Sequence, residues 1–585
     1  MKKHLETLIG GALARLRDDE LPPHSLRFAP EVERTRDPRH GDFATNLALR
    51  LATLLGRKPR DVAARIVELL PPSELVDRVE IAGPGFINFV LAPAALEAGI
   101  ATILEAGDRY GEGDAGAGRT VLVEYVSANP TGPLHVGHGR HAAYGASVAS
   151  LLRATGHEVR EEYYVNDAGR QMDILALSVW LRYLETHGEQ IDFPANGYRG
   201  DYIRQIAALV TERQADALVV PAASVFADLA PARREDDQEA HIDALITAAQ
   251  RRLGPEGFAV VLDAALESVL ADIRDDLAEF GVRPDQWVSE RSLEESGAID
   301  RALARLAERG RLYEKQGATW FRATDYGDVK DRVVVRENGK RTYFSSDIAY
   351  HLHKRERGND VLLDILGADH HGYIARIRAG LEAMGEPGTC LEVRLVQFVT
   401  LFRGGEKLRM STRSGEFVTL RELRQEVGND AARLFYVLRS NDQHLDFDLE
   451  LAKSRSNENP VYYIQYAHAR VCSVFRQLSA RGLERDEKRA REHLGRLEDP
   501  RERSLMRALG RFPEVVELAA ANRAPHNVVQ YLRELANEFH GYYNAVPFIV
   551  DDAAVRDARL MLIGATRQVI RNGLALLGVS APEVM

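Results

Sequence analysis

The chain has 585 residues, 45% of them hydrophobic, and a formal net charge of −11. Its length predicts roughly three or four domains rather than one, and its charge argues against indiscriminate nucleic-acid binding. Only Cys390 and Cys472 are present, in no CxxC arrangement, which excludes a disulfide framework and a thiolate zinc site and fits a reducing cytoplasm.

The opening MKKHLETLIGGALARLRDDE reads as an amphipathic helix, since Glu6 and Arg15 break its apolar stretch too early for a signal sequence. Residues 1 to about 112 hold two helical patterns and a strand-turn-strand at VEIAGPGFINFVL, closing on the linker-like GDRYGEGDAGAG. From Val121 a β-branched run reads as a buried parallel strand, with a second strand at VREEYYVNDAG. An Ala-rich, charged stretch from about 172 to 278 lacks β signal and reads as a helical insertion between two halves of a sheet. Strand signals return at TWFRA, DRVVVRENGKRTYF, LLDILGADH and LEVRLVQFVTLF, and after Asp448 the chain reads as helical to Met585. No apolar run approaches the roughly 20 residues that span a bilayer.

The segment Val121 to His138, VLVEYVSANPTGPLHVGH, is the richest in chemistry. A strand, a Pro/Gly-punctuated loop and a helix opening near Gly137 put free backbone N–H groups and a positive dipole end toward a ligand, which suits phosphate. His135 and His138 add donors, and Gly137 removes a side chain where a nucleotide would come close. No GxxxxGK[ST] occurs, so a P-loop is excluded. In the second half, EKLRMSTRSGEF carries Lys407, Arg409 and Arg413 around a Ser/Thr/Gly loop; this is either a clamp for pyrophosphate or a basic surface loop. Lys453 to Arg491 holds nine Lys/Arg against four Asp/Glu, with Tyr462, Tyr463, Tyr466 and Phe475 among them. That pattern suits RNA, or an amphipathic helix whose aromatics face the core.

Taken together, these residues resemble the class I aminoacyl-tRNA synthetases, and among them the arginyl-tRNA synthetases. HVGH at 135–138 resembles the HIGH signature and RMSTR at 409–413 the KMSKS loop. HGDFATNLAL, EIAGPGFINF, YVNDAGRQM, FGVRPDQWVSE, YFSSDIAYHLHK, LGADHHGY and NPVYYIQYAHARV are similar to further stretches of that family, so the likeness runs nearly end to end. It implies a multidomain α/β protein: an N-terminal α+β tRNA-binding domain over 1–112, a Rossmann-like parallel-sheet catalytic domain over 118–448 with its KMSKS-like loop at 407–415, and an all-helical anticodon-binding domain over 449–585.

The resemblance also implies site residues. Glu124, Ser127, Asn129, His138, Tyr343, Asp347 and His371 would line an arginine pocket, with carboxylates at Glu124 and Asp347 meeting the guanidinium. Asp347 is expected just after a strand ending at Tyr343-Phe344. His135, Gly137, His138, Gly367, Asp369 and Met410 would hold ATP, and His135, His138, Lys407, Arg409, Ser411 and Arg413 would act on its phosphates, with magnesium bridging them and no dedicated metal site. Asp369-His370-His371 also invites a metal reading, but no companion carboxylate cluster accompanies it. Phe86 and Asn88 would contact the tRNA elbow, and Tyr462, Gln465 and Tyr466 the anticodon.

The implied reaction joins arginine to its tRNA through an arginyl-adenylate, in a cytoplasmic monomer whose activation step requires tRNA. Both lysines of KMSKS are replaced, by Arg409 and Thr412, and the upstream position where some relatives carry a substitute lysine is Gly132. Two other readings stand beside this one: a nucleotidylyltransferase that also uses HxGH, and a non-catalytic tRNA-binding paralogue.

Overall fold

The structure is a computed structural model that describes residues 1–20, 30–35, 37–227, 237–408 and 417–585. At its centre lies a five-stranded parallel sheet in the order Leu391–Val396, Val361–Gly367, Thr120–Glu124, Glu158–Val165 and Gln286–Ser289. Both faces are covered, which is why the central strand runs Val121, Leu122, Val123 with no polar alternation. The helix Val136–Ala154 packs back on it. Its many small residues have a steric reason: a Cβ on Gly145 would lie 2.3 Å from the Tyr125 ring just past the strand.

The stretch read as an insertion is helical and connects the last two strands. It comprises Arg170–Thr186, Asp201–Gln214, Ala222–Phe226 and Asp237–Glu279, the last broken at Gly254. Its interior is packed around Trp180, Tyr183, Leu245 and Val261, all buried. A small antiparallel sheet follows (Leu312–Lys315, Ala318–Phe321, Arg332–Val335), leading into the helix Tyr343–Glu356.

Two strand readings need correction. Tyr343-Phe344 does not end a strand: DRVVVRENGKRTYF gives only Arg332–Val335, a turn, and an isolated bridge from Val335 to Arg341. Thr342 is extended and Tyr343 opens a helix, so Asp347 sits one turn inside it rather than at a strand end. LEVRLVQFVTLF is likewise two strands, Leu391–Val396 in the main sheet and Val399–Arg403 in a separate three-stranded one. The break falls at Gln397-Phe398, where Arg140, buried in the first helix after the central strand, donates to the Gln397 carbonyl at 2.8 Å.

The N-terminal residues form a four-stranded antiparallel sheet (Glu33–Arg34, Phe43–Thr45, Phe86–Leu91, Val76–Ala82) backed by helices Lys2–Glu20, Leu47–Leu55 and Pro59–Leu69. Helix Pro93–Ala106 packs instead on the C-terminal helices Pro500–Leu509 and Ala553–Leu576. The N-terminal unit is pinned to the same C-terminal region by Arg34 on Glu514 (2.9 and 3.0 Å) and Arg507 on Asp42 (3.0 Å). Residues from Pro460 on are helical, and buried Arg433 ties them to the parallel-sheet region by donating to the carbonyls of Leu577 and Phe280. No helix among the described residues is long and apolar enough to cross a membrane.

Candidate active site

Three carboxylates stand abreast on adjacent strands: Asp364, Glu124 and Glu162 are register partners across the middle of the sheet, and all three are buried. Like charges side by side on a sheet repel, so the row is possible only because the next helix answers it. Lys354, fully buried, sets its Nζ 2.5 Å from Glu124 and 2.8 Å from Asp364. Arg357 pairs with Glu162 at 2.5 Å, His351 lies 2.7 Å from Asp364, and the Tyr350 hydroxyl is 2.9 Å from Glu124 and 2.7 Å from Glu162. Lys354 and His351 hold Asp364 down, well below the usual carboxylate range, against the burial that would raise it.

Immediately beyond the central strand the chain turns sharply. Val126 and Ser127 both take positive φ, 69° and 39°, a conformation that costs non-glycine residues on the order of 1–3 kcal/mol each and that tends to sit at functional sites. The turn brings the Ser127 hydroxyl to Glu124 at 2.9 Å and lets it accept from the Tyr164 N–H at 3.1 Å. Asn129 is held by Gln171 at 2.8 Å.

Two turns before Lys354 on the same helix, the situation reverses. Asp347 is buried, and no hydrogen bond or ion pair engages its carboxylate among the described residues. Burial, then the charges of Glu290, Glu124 and Asp364, push it well above its ordinary value; Arg376 pulls the other way from nearby without pairing. Glu290, first residue of the helix Glu290–Glu295, is raised to about 7 by burial and by Asp167 and Glu294. The buried Tyr164 hydroxyl also lacks a partner among the described residues, and its surroundings include Glu290, Asp347, Tyr343 and Glu124. Tyr343, 61% exposed, stands at the rim. The result is a pocket with two unanswered acids, an orphan hydroxyl and a phenol at its mouth, the complement of a planar, multiply donating cation.

Glu290 and Tyr164 were missed as site residues. The signal was present: Glu290 closes the stretch FGVRPDQWVSE, just past a strand whose end lies at the same sheet edge as Glu124. Its placement depends on Asp167 of YVNDAGRQM, which accepts from the Ser289 hydroxyl at 2.6 Å and from the Arg291 N–H at 3.1 Å.

At the other side of the strand exit, His135 caps the helix Val136–Ala154. Its Nδ1 accepts from the Gly137 N–H at 3.1 Å, and the Nδ1 of His138 accepts from the His135 N–H at 3.3 Å. An accepting Nδ1 carries no proton, so each neutral ring keeps its proton on Nε2. Burial lowers both pKa values, His138 further, and the rings stack at 3.7 Å, so the pair is neutral near pH 7 and offers hydrogen-bond donors rather than charge. Gly137 leaves room for a histidine as well as for any ligand, since a Cβ there would meet the His135 ring at 2.8 Å. Gly132 has its own cause: a Cβ would lie 2.9 Å from the Tyr202 phenol, which reaches out of the insertion to donate to the Thr131 carbonyl at 2.6 Å.

The described residues on either side of 409–416 are both anchored. Lys407, exposed, pairs in a short strand with Phe402. On the far side, Val136 N–H donates to the Val418 carbonyl and Leu420 N–H to the Leu134 carbonyl, strapping 418–420 against HVGH. Arg409, Met410, Ser411 and Arg413 lie outside the described residues.

Gly367 ends its strand, and Asp369 folds back beside it, exposed; His371 is exposed as well. Among the described residues no three His, Cys, Asp or Glu converge as a metal site would require. Far from this centre, Phe86 is 40% exposed, whereas Asn88 on the same strand is buried. Tyr462 and Tyr466 stack at 5.5 Å with Arg470 over Tyr466, while Gln465 is buried and bonded to Asp430 and the Ser580 carbonyl.

A parallel sheet whose central strand leads to an HxGH helix cap, with residues 418–420 strapped to that cap, is the arrangement expected of a class I aminoacyl-tRNA synthetase. Family models agree: "tRNA synthetases class I (R), catalytic domain" matches residues 99–193 and 287–450, "Arginyl tRNA synthetase N terminal domain" 3–91, and "DALR anticodon binding domain" 464–585. Relatives named arginine–tRNA ligase include those of Thioalkalivibrio sulfidiphilus, 58% identical over 586 residues, and Hydrogenovibrio crunogenus, 55% identical over 592, each covering all of both chains. The arginyl-tRNA synthetase of Thermus thermophilus has the same fold, with a TM-score of 0.74 at 23% identity over all of both chains. The chain belongs to the arginyl-tRNA synthetase family.

Proposed function

We propose that the chain ligates L-arginine to its tRNA with ATP, through an arginyl-adenylate, releasing AMP and pyrophosphate. The observation that carries this reading is Asp347: among the described residues, a buried carboxylate without a cation, beside Glu290, where the other buried acids are answered from within. The guanidinium supplies the missing charge through paired hydrogen bonds to Asp347 and Glu290, with Tyr343 over it and the Tyr164 hydroxyl alongside. Glu124, expected at the guanidinium, already has its charge met by Lys354 at 2.5 Å, so it is assigned with Ser127, Asn129, His138 and His371 to the other end of the amino acid. The carboxylate of arginine attacks the α-phosphorus and pyrophosphate leaves; a terminal hydroxyl of the tRNA then takes the arginyl group and AMP leaves.

No covalent enzyme intermediate is needed, so rate enhancement comes from positioning and charge stabilisation. The Nε2–H groups of His135 and His138 donate to the α-phosphate as it crowds. Lys407, Arg409, Ser411 and Arg413 meet the β and γ oxygens, with magnesium travelling on the nucleotide, and Gly367, Asp369 and Met410 border the adenosine. Phe86 serves the tRNA elbow and Tyr462 and Tyr466 the anticodon, while Asn88 and Gln465, expected as contacts but buried, support those surfaces from beneath, within units spanning 1–112, 118–448 and 449–585. The protein acts as a cytoplasmic monomer whose activation step awaits tRNA.

ATP–pyrophosphate exchange with each amino acid, with and without tRNA, tests the reading. Exchange is expected with arginine alone; exchange with another amino acid instead overturns it. The nucleotidylyltransferase and non-catalytic readings gain nothing here, since the HxGH cap, the pocket acids and the C-terminal helices are all in place.

A further inference from the structure

The small sheet before the pocket helix has two dissimilar faces. Phe321 and Val334 are fully buried on one, where Phe321 stacks on Phe344 at 6.1 Å. On the other, Tyr313, Trp320 and Val333 are neighbours across three strands, all only half-buried. The Tyr313 and Trp320 rings lie 6.4 Å apart with their planes within 24° of parallel, so they form one stacked aromatic pair. Cations flank it: Lys315 sits 5.6 Å over Trp320 and Arg322 4.9 Å over Tyr313. The Tyr313 hydroxyl is anchored to Asp331 at 2.9 Å, which fixes the ring in place.

Charge singles this segment out. Between residues 309 and 341 there are nine Lys and Arg against five Asp and Glu, in a chain whose net charge is −11. Arg332 and Arg341 are spent on Asp328, Asp300 and Glu294. Lys315, Arg322, Lys330, Arg336 and Lys340 make no ion pair among the described residues, and all five are exposed. The surface also leads straight to the pocket: Thr342 bonds back to the carbonyls of Val333 and Val334 at 2.8 and 3.0 Å, and the next residue is Tyr343 at the rim.

A stacked ring pair flanked by cations without ion partners suits a strand of unstacked bases, which can extend the stack with a π-face and meet the cations with the phosphates between bases; a duplex would use the cations and leave the rings idle. We propose that Tyr313, Trp320 and Val333, with Lys315 and Arg322, form the platform on which the unpaired 3′ end of the tRNA lies as it reaches the arginine pocket. The inference rests on the aminoacylation reading above, and its test separates the two.

Full-length tRNA and the same tRNA lacking its last four nucleotides are titrated against the whole protein, its Trp320→Ala variant and its Lys315→Glu/Arg322→Glu variant, alongside arginine charging by the unaltered protein as a control. Each variant should weaken full-length tRNA about tenfold, the order expected for one stacked base or two neutralised phosphates. Both should leave the truncated RNA and the KM for arginine unchanged. The double variant should also lower the salt dependence, by about 0.7 in log Kd per log salt for each single-strand phosphate that is no longer neutralised. Its two positions are exposed, so it reports even if Trp320→Ala folds poorly. Equal weakening of both RNAs, or of neither, overturns the platform; failure of the charging control would instead strike at the aminoacylation reading.

Discussion

Two sets of acids lie along one helix and are handled in opposite ways. The row Asp364, Glu124, Glu162 is closed: Lys354 and Arg357, at the end of the helix Tyr343–Glu356 and just past it, neutralise it. Asp347, seven residues before Lys354 on that helix, and Glu290 beside it are left open. The same element thus supplies charge to the framework and withholds it from the pocket. A buried acid is costly without a partner, so the closed set marks acids whose charge the protein itself meets, Glu124 among them, and the open set marks acids whose charge the substrate must meet.

The comparison breaks most visibly at Lys354. Lys354→Met should destabilise the protein by about 3–5 kcal/mol, as expected when one partner of a buried ion pair is removed, read as a fall in the denaturation midpoint. Asp347→Asn should do the reverse on both counts. It removes a buried acid that nothing pairs with among the described residues, so thermal stability should hold or rise, while kcat/KM for arginine should fall by about 2–3 kcal/mol, some 30- to 150-fold, for the loss of a charged hydrogen bond. Loss of stability with unchanged arginine kinetics would place Asp347 in the closed set.

Glu290 sharpens the contrast through pH. A carboxyl raised to about 7 is half protonated in the empty protein near neutrality, and arginine, as a cation, binds its ionised form. Affinity for arginine should therefore rise as pH climbs through about 7, with proton release on binding. For stability the sign is opposite: between pH 4.5 and 7 the folded protein holds more protons at Glu290 than the unfolded chain, so its contribution is lost as pH rises across that window. Glu290→Gln should flatten both profiles, measured by calorimetric titration of arginine and by thermal melts from pH 5 to 8.

Much of this was legible in the chain. The strand before HVGH, the helix after it and the helical insertion followed from apolar runs, small residues and Gly/Pro punctuation. Asp347 stood out as an arginine ligand through the family resemblance, but its setting did not: YFSSDIAY looks like the tail of a strand because Tyr and Phe are strand formers, and only the bridge from Val335 to Arg341 shows where the chain turns. Glu124 stood out as a charge in a buried strand, yet its pairing with Lys354, 230 residues away, has no local trace. The unpartnered state of Asp347 and Tyr164 is equally invisible, since the absence of a neighbour is a property of the packed molecule. Gly132 is a milder case: the absence of a lysine was plain, its cause, Tyr202 from the insertion, was not.

The smallest effect expected belongs to the turn that separates the two regions. Val126 is β-branched and holds φ at 69°, a poor conformation for that side chain. Glycine would adopt it freely, and relief of the strain is offset by the entropy glycine adds to the unfolded chain and by the loss of a buried side chain. If the turn were only structural, Val126→Gly should change little besides the melting temperature, by no more than about 1–2 kcal/mol of stability. The turn also aims Ser127 at Glu124 and sets the path to Asn129, so the same change should raise the KM for arginine a few fold with the KM for ATP unaltered. A melting shift without that KM shift would assign the strain to the sheet rather than to the pocket.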